Sequence, residues 1–129
     1  MLDHIGLAVS DIRRSEAFYT AALKPLGITK LYEYGPDRTD SGGTAIGLGK
    51  DMMPFFWIGD NERTGEGTHV AFTAPDRAAV DAFYEAAIAA GGKDNGGPGL
   101  RPHYHATYYA AFVYDPDGHN IEAVCHAPE

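Results

Sequence analysis

The chain repeats itself. His4-Ile-Gly-Leu-Ala-Val-Ser-Asp11 returns as His69-Val-Ala-Phe-Thr-Ala-Pro-Asp76, 65 positions later. In that ungapped register Ala17-Phe18-Tyr19 falls on Ala82-Phe83-Tyr84, and Ala21-Ala22 on Ala86-Ala87. Seven of the twenty pairs from His4 to Leu23 are identical, and Ile5/Val70, Leu7/Phe72, Glu16/Asp81 and Leu23/Ile88 are conservative. Self-similarity at one fixed spacing marks a supersecondary unit used twice. The 129 residues therefore read as a single domain of two modules, about 1–62 and 66–129, joined by a hydrophilic linker at about 59–67.

Each module opens with a short apolar, partly β-branched run, which predicts a strand. An aspartate follows (Asp11, Asp76) whose carboxylate can accept from a free first-turn amide and so start a helix. Phe18, Ala22 and Leu26 then recur at near-helical spacing, as do Val80, Phe83, Ala87 and Ile88 in the second module. Gly27 and Gly91 are suited to stop these helices. Three further strands are expected in each half: about 28–34, 44–49 and 54–58, then about 102–107, 108–114 and 120–126. Asp115-Pro-Asp-Gly118 has the Pro and Gly of a turn. The 16 glycines and 8 prolines fit such a turn-rich chain.

Ten Lys and Arg against eighteen Asp and Glu give a formal net charge of −8. That balance repels phosphate backbones and anionic lipid, so nucleic-acid and membrane partners are not expected. No apolar run approaches the roughly 20 residues that span a bilayer. Met1-Leu-Asp-His-Ile is not a charged region followed by an apolar run, so no secretory signal is expected and a cytoplasmic location is. Cys125, the only cysteine, reads as a buried thiol.

Alternation along a strand brings three residues into view. His4 shares a face with Gly6 and Ala8; His69 shares one with Ala71 and Thr73. Both imidazoles thus stand beside small neighbours. Glu122 is an acid inside the apolar run Ile121–Val124, and a buried carboxylate needs a donor to meet it. Two imidazoles and a carboxylate suit one divalent ion, whether zinc, nickel, cobalt, manganese or iron(II), with positions left for substrate oxygens. The same 65-residue shift carries Glu122 onto Trp57, so the first module has an indole where a fourth ligand would stand.

The paired modules, His4 in His-Ile-Gly-Leu-Ala-Val-Ser-Asp, His69 in Thr-His-Val-Ala-Phe, and the ending Asp-Pro-Asp-Gly-His-Asn-Ile-Glu122 resemble the vicinal oxygen chelate superfamily. Its members include glyoxalase I, extradiol dioxygenases, methylmalonyl-CoA epimerase, and fosfomycin- and bleomycin-resistance proteins. The resemblance implies an α+β fold, with two βαβββ modules forming an open, curved eight-stranded mixed sheet around a metal cavity. It also implies a homodimer, in some members with modules paired across chains. His4, His69 and Glu122 match three of its metal-ligand positions. The usual glyoxalase I site takes a fourth ligand from the first module, where this chain has Trp57. The remaining trio resembles the two-histidine, one-carboxylate set of the dioxygenases, whose chains are usually longer.

Arg101-Pro-His-Tyr-His105-Ala-Thr-Tyr-Tyr109 is the densest cluster of titratable and hydroxyl groups. His105 is a candidate general base, and Tyr108 or Tyr109 a candidate donor to a bound oxyanion. Arg101, His103, Phe55 and Trp57 are candidate contacts to a small-molecule substrate, the aromatics by stacking. His119 and His126 are expected in solvent, and the glycine-rich stretch 91–99 as a flexible rim. The leading functional expectation is a glyoxalase-like metalloenzyme of lyase or isomerase type, with Glu122 also acting catalytically. An iron(II) dioxygenase and a drug-sequestering protein of the bleomycin-resistance kind are the alternatives.

Overall fold

The computed structural model describes residues 2–65 and 67–129. Module one runs β1 (Ile5–Ala8), α1 (Ile12–Leu23), β2 (Thr29–Tyr34), β3 (Ala45–Lys50) and β4 (Met53–Gly59). Module two runs β5 (His69–Thr73), α2 (Arg77–Ala89), β6 (Lys93–Asp94), β7 (Gly99–Leu100), β8 (Tyr109–Tyr114) and β9 (Asn120–Cys125). Both helices start where the repeat predicts: Asp11 accepts from the Arg14 amide at 3.1 Å, and Asp76 from the Ala79 amide at 2.8 Å. Gly27 (φ 80°) and Gly91 (φ 100°) take the left-handed conformation just past the helical segments, a backbone state that glycine adopts without steric cost.

The α+β fold and its two modules are as expected, but the strands form two sheets rather than one. β1-β4-β3-β2 make the first sheet, and β5-β9-β8-β6 the second, with β7 also on β8. In each, the opening strand runs parallel to the closing one, with Gly6 opposite Trp57 and Ala71 opposite Glu122. Trp57 and Glu122 are therefore equivalent in space as well as in sequence.

Two further expectations need correction. Residues 102–107 form no strand. Pro102 has no amide to give a ladder, and turn bonds take its place: Tyr104 N–H to Arg101 O at 2.9 Å and Tyr108 N–H to His105 O at 3.2 Å. The face-sharing of His103 with His105 that a strand would impose does not apply. The missing strand lies instead in the glycine-rich stretch read as a rim, where β6 and β7 each pair with a different end of β8.

One core joins the halves. Phe18, Tyr19, Phe56 and Ile58 of module one and Phe72, Phe83, Val113 and Ile121 of module two are buried in a single cluster. Phe56 and Phe72 meet edge to face across the seam at 5.1 Å. A polar clasp adds to it. The buried Asp115 carboxylate accepts from Tyr19 Oη at 2.6 Å, lies 2.7 Å from His119 Nδ1, and takes the Asp117 and His119 amides at 2.9 and 2.8 Å. His119, expected in solvent, is 2% exposed because this carboxylate supplies the partner that a buried imidazole needs. Burial, then the charge of Asp115, holds the Tyr19 phenol well above its ordinary range.

Candidate metal and ligand site

The helix-facing side of each sheet is the core; the other side is open. In module two that open side carries His69, Ala71, Phe112 and Glu122. His69 Nε2 lies 2.9 Å from Glu122 Oε1, and Tyr108 Oη donates to Glu122 Oε2. The Glu122 side chain is 1% exposed and that of His69 47%, so the pair has a buried end and a wet end. Both carboxylate oxygens are thus met, the condition under which such burial is tolerated. Half-burial, then the hydrogen bond to Glu122, push the Tyr108 phenol up to about 12. Phe112, opposite Glu122 in the ladder, backs the His69 ring at 6.2 Å between centroids.

Two donors bound to one divalent ion at about 2.0–2.2 Å stand about 3 Å apart when near a right angle. The His69–Glu122 spacing of 2.9 Å fits that requirement. His4 is placed differently. It lines the same cleft of about 560 Å3 as His69, at the seam of β1, β4 and β5, but its Nδ1 turns to Asp3 at 2.7 Å. Among the described residues no three His, Cys, Asp or Glu side chains converge on one point. The fold brings together two of the three proposed ligands and leaves His4 on the rim.

The other sequence candidates separate by role. Phe55 lines the cleft and packs on the core. Arg101 is spent on its own loop, donating to Gly97 O and Gly99 O at 2.8 Å each while its guanidinium covers Phe112 at 5.4 Å. His103 packs at a tilt of 52° against the exposed Tyr104, 4.3 Å between centroids. His105 Nε2 lies 2.6 Å from His126 Nδ1, and both rings meet Tyr108 edge-on at 5.3 and 5.2 Å. Tyr109 faces the helix instead, donating to Asp81 at 2.7 Å beneath Arg77.

Module one presents a different surface at the equivalent place. Trp57 lies flat over Gly47, where an added Cβ would sit 2.8 Å from the indole. Tyr34 stacks on Trp57 at 5.7 Å, and the Arg38 guanidinium covers Tyr34 at 4.8 Å. Sequence reading passed over Tyr34, Arg38 and Gly47. The available signal was alternation along 29–34 and 45–50, which sets Tyr32 and Tyr34 on one face beside Gly47.

A doubled βαβββ protein with a histidine–carboxylate pair on one open sheet face and an aromatic groove on the other belongs among the paired-module α+β proteins. The chain is a member of the Glyoxalase/Bleomycin resistance protein/Dioxygenase superfamily, whose family model matches residues 1–123. Among solved structures it is similar to a glyoxalase/bleomycin resistance protein from Albidiferax ferrireducens T118, at 28% identity and TM-score 0.75, covering 99% of each chain. Glyoxalase I from Zea mays is 26% identical with TM-score 0.72; the match covers 95% of this chain and 43% of that one. The fosfomycin resistance protein FosX from Listeria monocytogenes, crystallised as a mutant with Mn(II) and 1S,2S-dihydroxypropylphosphonic acid, shares the fold at 23% identity and TM-score 0.69, covering 96% and 90%. No curated protein matches the chain. Among the described residues no helix is long and apolar enough to cross a membrane.

Proposed function

We propose that this is a metal-dependent vicinal oxygen chelate enzyme of lyase or isomerase type, acting on a small organic substrate as a homodimer. The observation that carries the reading is the buried Glu122 carboxylate, held by Tyr108 and aimed at His69 on an open sheet face. His69 and Glu122 are the inner ligands. His4, on the rim of the cleft that His69 lines, completes the set either by turning away from Asp3 or from a second copy whose module one faces this module two. A bound divalent ion supplies Lewis acidity toward two neighbouring substrate oxygens. Glu122 Oε2, oriented by the Tyr108 hydroxyl, accepts a substrate proton, while Oε1 is the oxygen that faces His69. His105 and His126 support the Tyr108 ring from its edges. A cytoplasmic location accords with Cys125, a buried free thiol.

The second reading is sequestration of a ligand without turnover. It is favoured by Trp57 at the fourth-ligand position and by the distance His4 keeps from the pair. Metal analysis of protein purified without chelators decides. One ion per chain, lost in His69→Ala and Glu122→Gln, supports the enzyme. No retention of Zn, Ni, Co, Mn or Fe(II) after loading sinks it and leaves sequestration. Among metals, iron(II) with oxygen uptake would move the chemistry to the dioxygenase type.

A further inference from the structure

The groove on the open face of module one has a chemistry of its own, whether or not a second copy's module two comes to face it. It is about 370 Å3, and its floor is the row Trp57, Tyr34 and Arg38 described above. The floor is built rather than accidental: Gly47 gives up a side chain so that the indole can lie flat. The Trp57 and Tyr34 rings are nearly parallel, their planes 22° apart, and Tyr32 continues the stack at 6.2 Å. Such a platform prefers a flat ring to an aliphatic one, because the ring adds quadrupole attraction to area burial.

Three charges line the same groove: Arg38, Asp40 and Glu62. Thr39 and Ser41, also on its wall, already donate to Gly43 O and Asp60 O. Among the described residues neither Arg38 nor either acid takes part in an ion pair of 4.0 Å or less. The planar guanidinium fork over Tyr34 fits a carboxylate, and the two acids fit an ammonium group. A ligand with only a negative charge would face Asp40 and Glu62 unrewarded; one with only a positive charge would face Arg38. We infer that the Trp57–Tyr34–Arg38 groove binds a small aromatic zwitterion of the aromatic amino acid class. Its ring lies on the Trp57 platform, its carboxylate on Arg38 and its ammonium group on Asp40 and Glu62.

The chain reports on its own groove, since Trp57 is its only tryptophan. Emission of the full-length protein, excited at the red edge of indole absorption, is followed while four ligands are titrated. They are L-phenylalanine, 3-phenylpropionate (no ammonium), phenethylamine (no carboxylate) and cyclohexylalanine (no ring). The titrations are run with a chelator present and repeated on His69→Ala, so failure of the metal reading leaves this result intact. L-Phenylalanine is expected to change Trp57 emission, to bind about tenfold tighter than either single-charge analogue, the factor that one charge-assisted bond contributes, and to bind tighter than cyclohexylalanine through ring stacking. Arg38→Gln should reduce phenylalanine to the level of phenethylamine, and Glu62→Gln should bring it toward that of phenylpropionate; both sites are exposed and leave the fold intact. No emission change up to the solubility limit of phenylalanine overturns the site. Equal binding of cyclohexylalanine or of either single-charge analogue overturns the class of ligand.

Discussion

The two modules began as one pattern, and their differences are concentrated at matched positions. Glu122 and Trp57 occupy the same ladder place, opposite Ala71 and Gly6. In module two the strand beside that place contributes Phe112, which backs His69; in module one it contributes Gly47, which lets an indole lie down. Tyr19 and Tyr84 also coincide under the repeat, yet Tyr19 is buried against Asp115 while Tyr84 donates to Asp94 at the surface. The lesson is that the shared backbone needs only the apolar parity of the strands and the aspartate caps. The open faces differ, and there one half carries a histidine–carboxylate pair and the other a stacked aromatic pair.

The comparison can be broken most severely at Glu122. Glu122→Ala should abolish divalent metal binding and leave the Tyr108 hydroxyl without its acceptor, at a cost of about 2–3 kcal/mol in denaturant unfolding. The reciprocal change, Trp57→Glu, should leave the His69–Glu122 pair untouched; tighter metal retention in that variant would mean that module one's face meets the ion. Next is Gly47→Ala, whose new methyl displaces the indole for about 1–3 kcal/mol and shifts Trp57 emission, while Ala71→Gly in module two has no such optical effect.

Tyr19→Phe should follow at about 1 kcal/mol, measured by urea unfolding at neutral pH, and exceed the effect of Tyr84→Phe. Its pH dependence has a defined sign. The folded pKa of Tyr19 lies above the unfolded value of 10.0, so the stabilisation is complete below that value and declines as pH rises beyond it. The gap between wild type and Tyr19→Phe should therefore narrow in alkali. The smallest effect belongs to Arg13→Gln. Arg13 and Lys30 bind Glu16 and Glu33 on the outside of module one, an arrangement that the repeat does not carry into module two. Its contribution to melting temperature should be visible at low salt and vanish at high salt.

Legibility from sequence followed the range of the interactions. The helix starts were readable because Asp11 and Asp76 act three residues away, and the core faces because parity is local. Glu122 announced itself as an acid in an apolar run, and its need for a donor was met. Its donor's identity was less readable, since Tyr108 sits on a loop whose aromatic content looks like a strand; the turn bonds around Pro102 decide otherwise. His119 was misplaced because its burial depends on Tyr19, which reaches Asp115 across 96 positions of chain. The weak strand at 93–100 hid among glycines, where pairing with β8 does what side chains do not.

The division into two sheets has a further consequence. Among the described residues no backbone-to-backbone hydrogen bond joins the halves, whose strands pair only within their own sheet. What crosses the boundary is the shared apolar core, the Tyr19–Asp115 contact, and the Asp117 carboxylate against the Ser10 amide and the Arg14 side chain. None of those contacts involves a rung of either ladder. A chain divided in this way keeps each ladder whole within one half and leaves the seam between the halves to side chains.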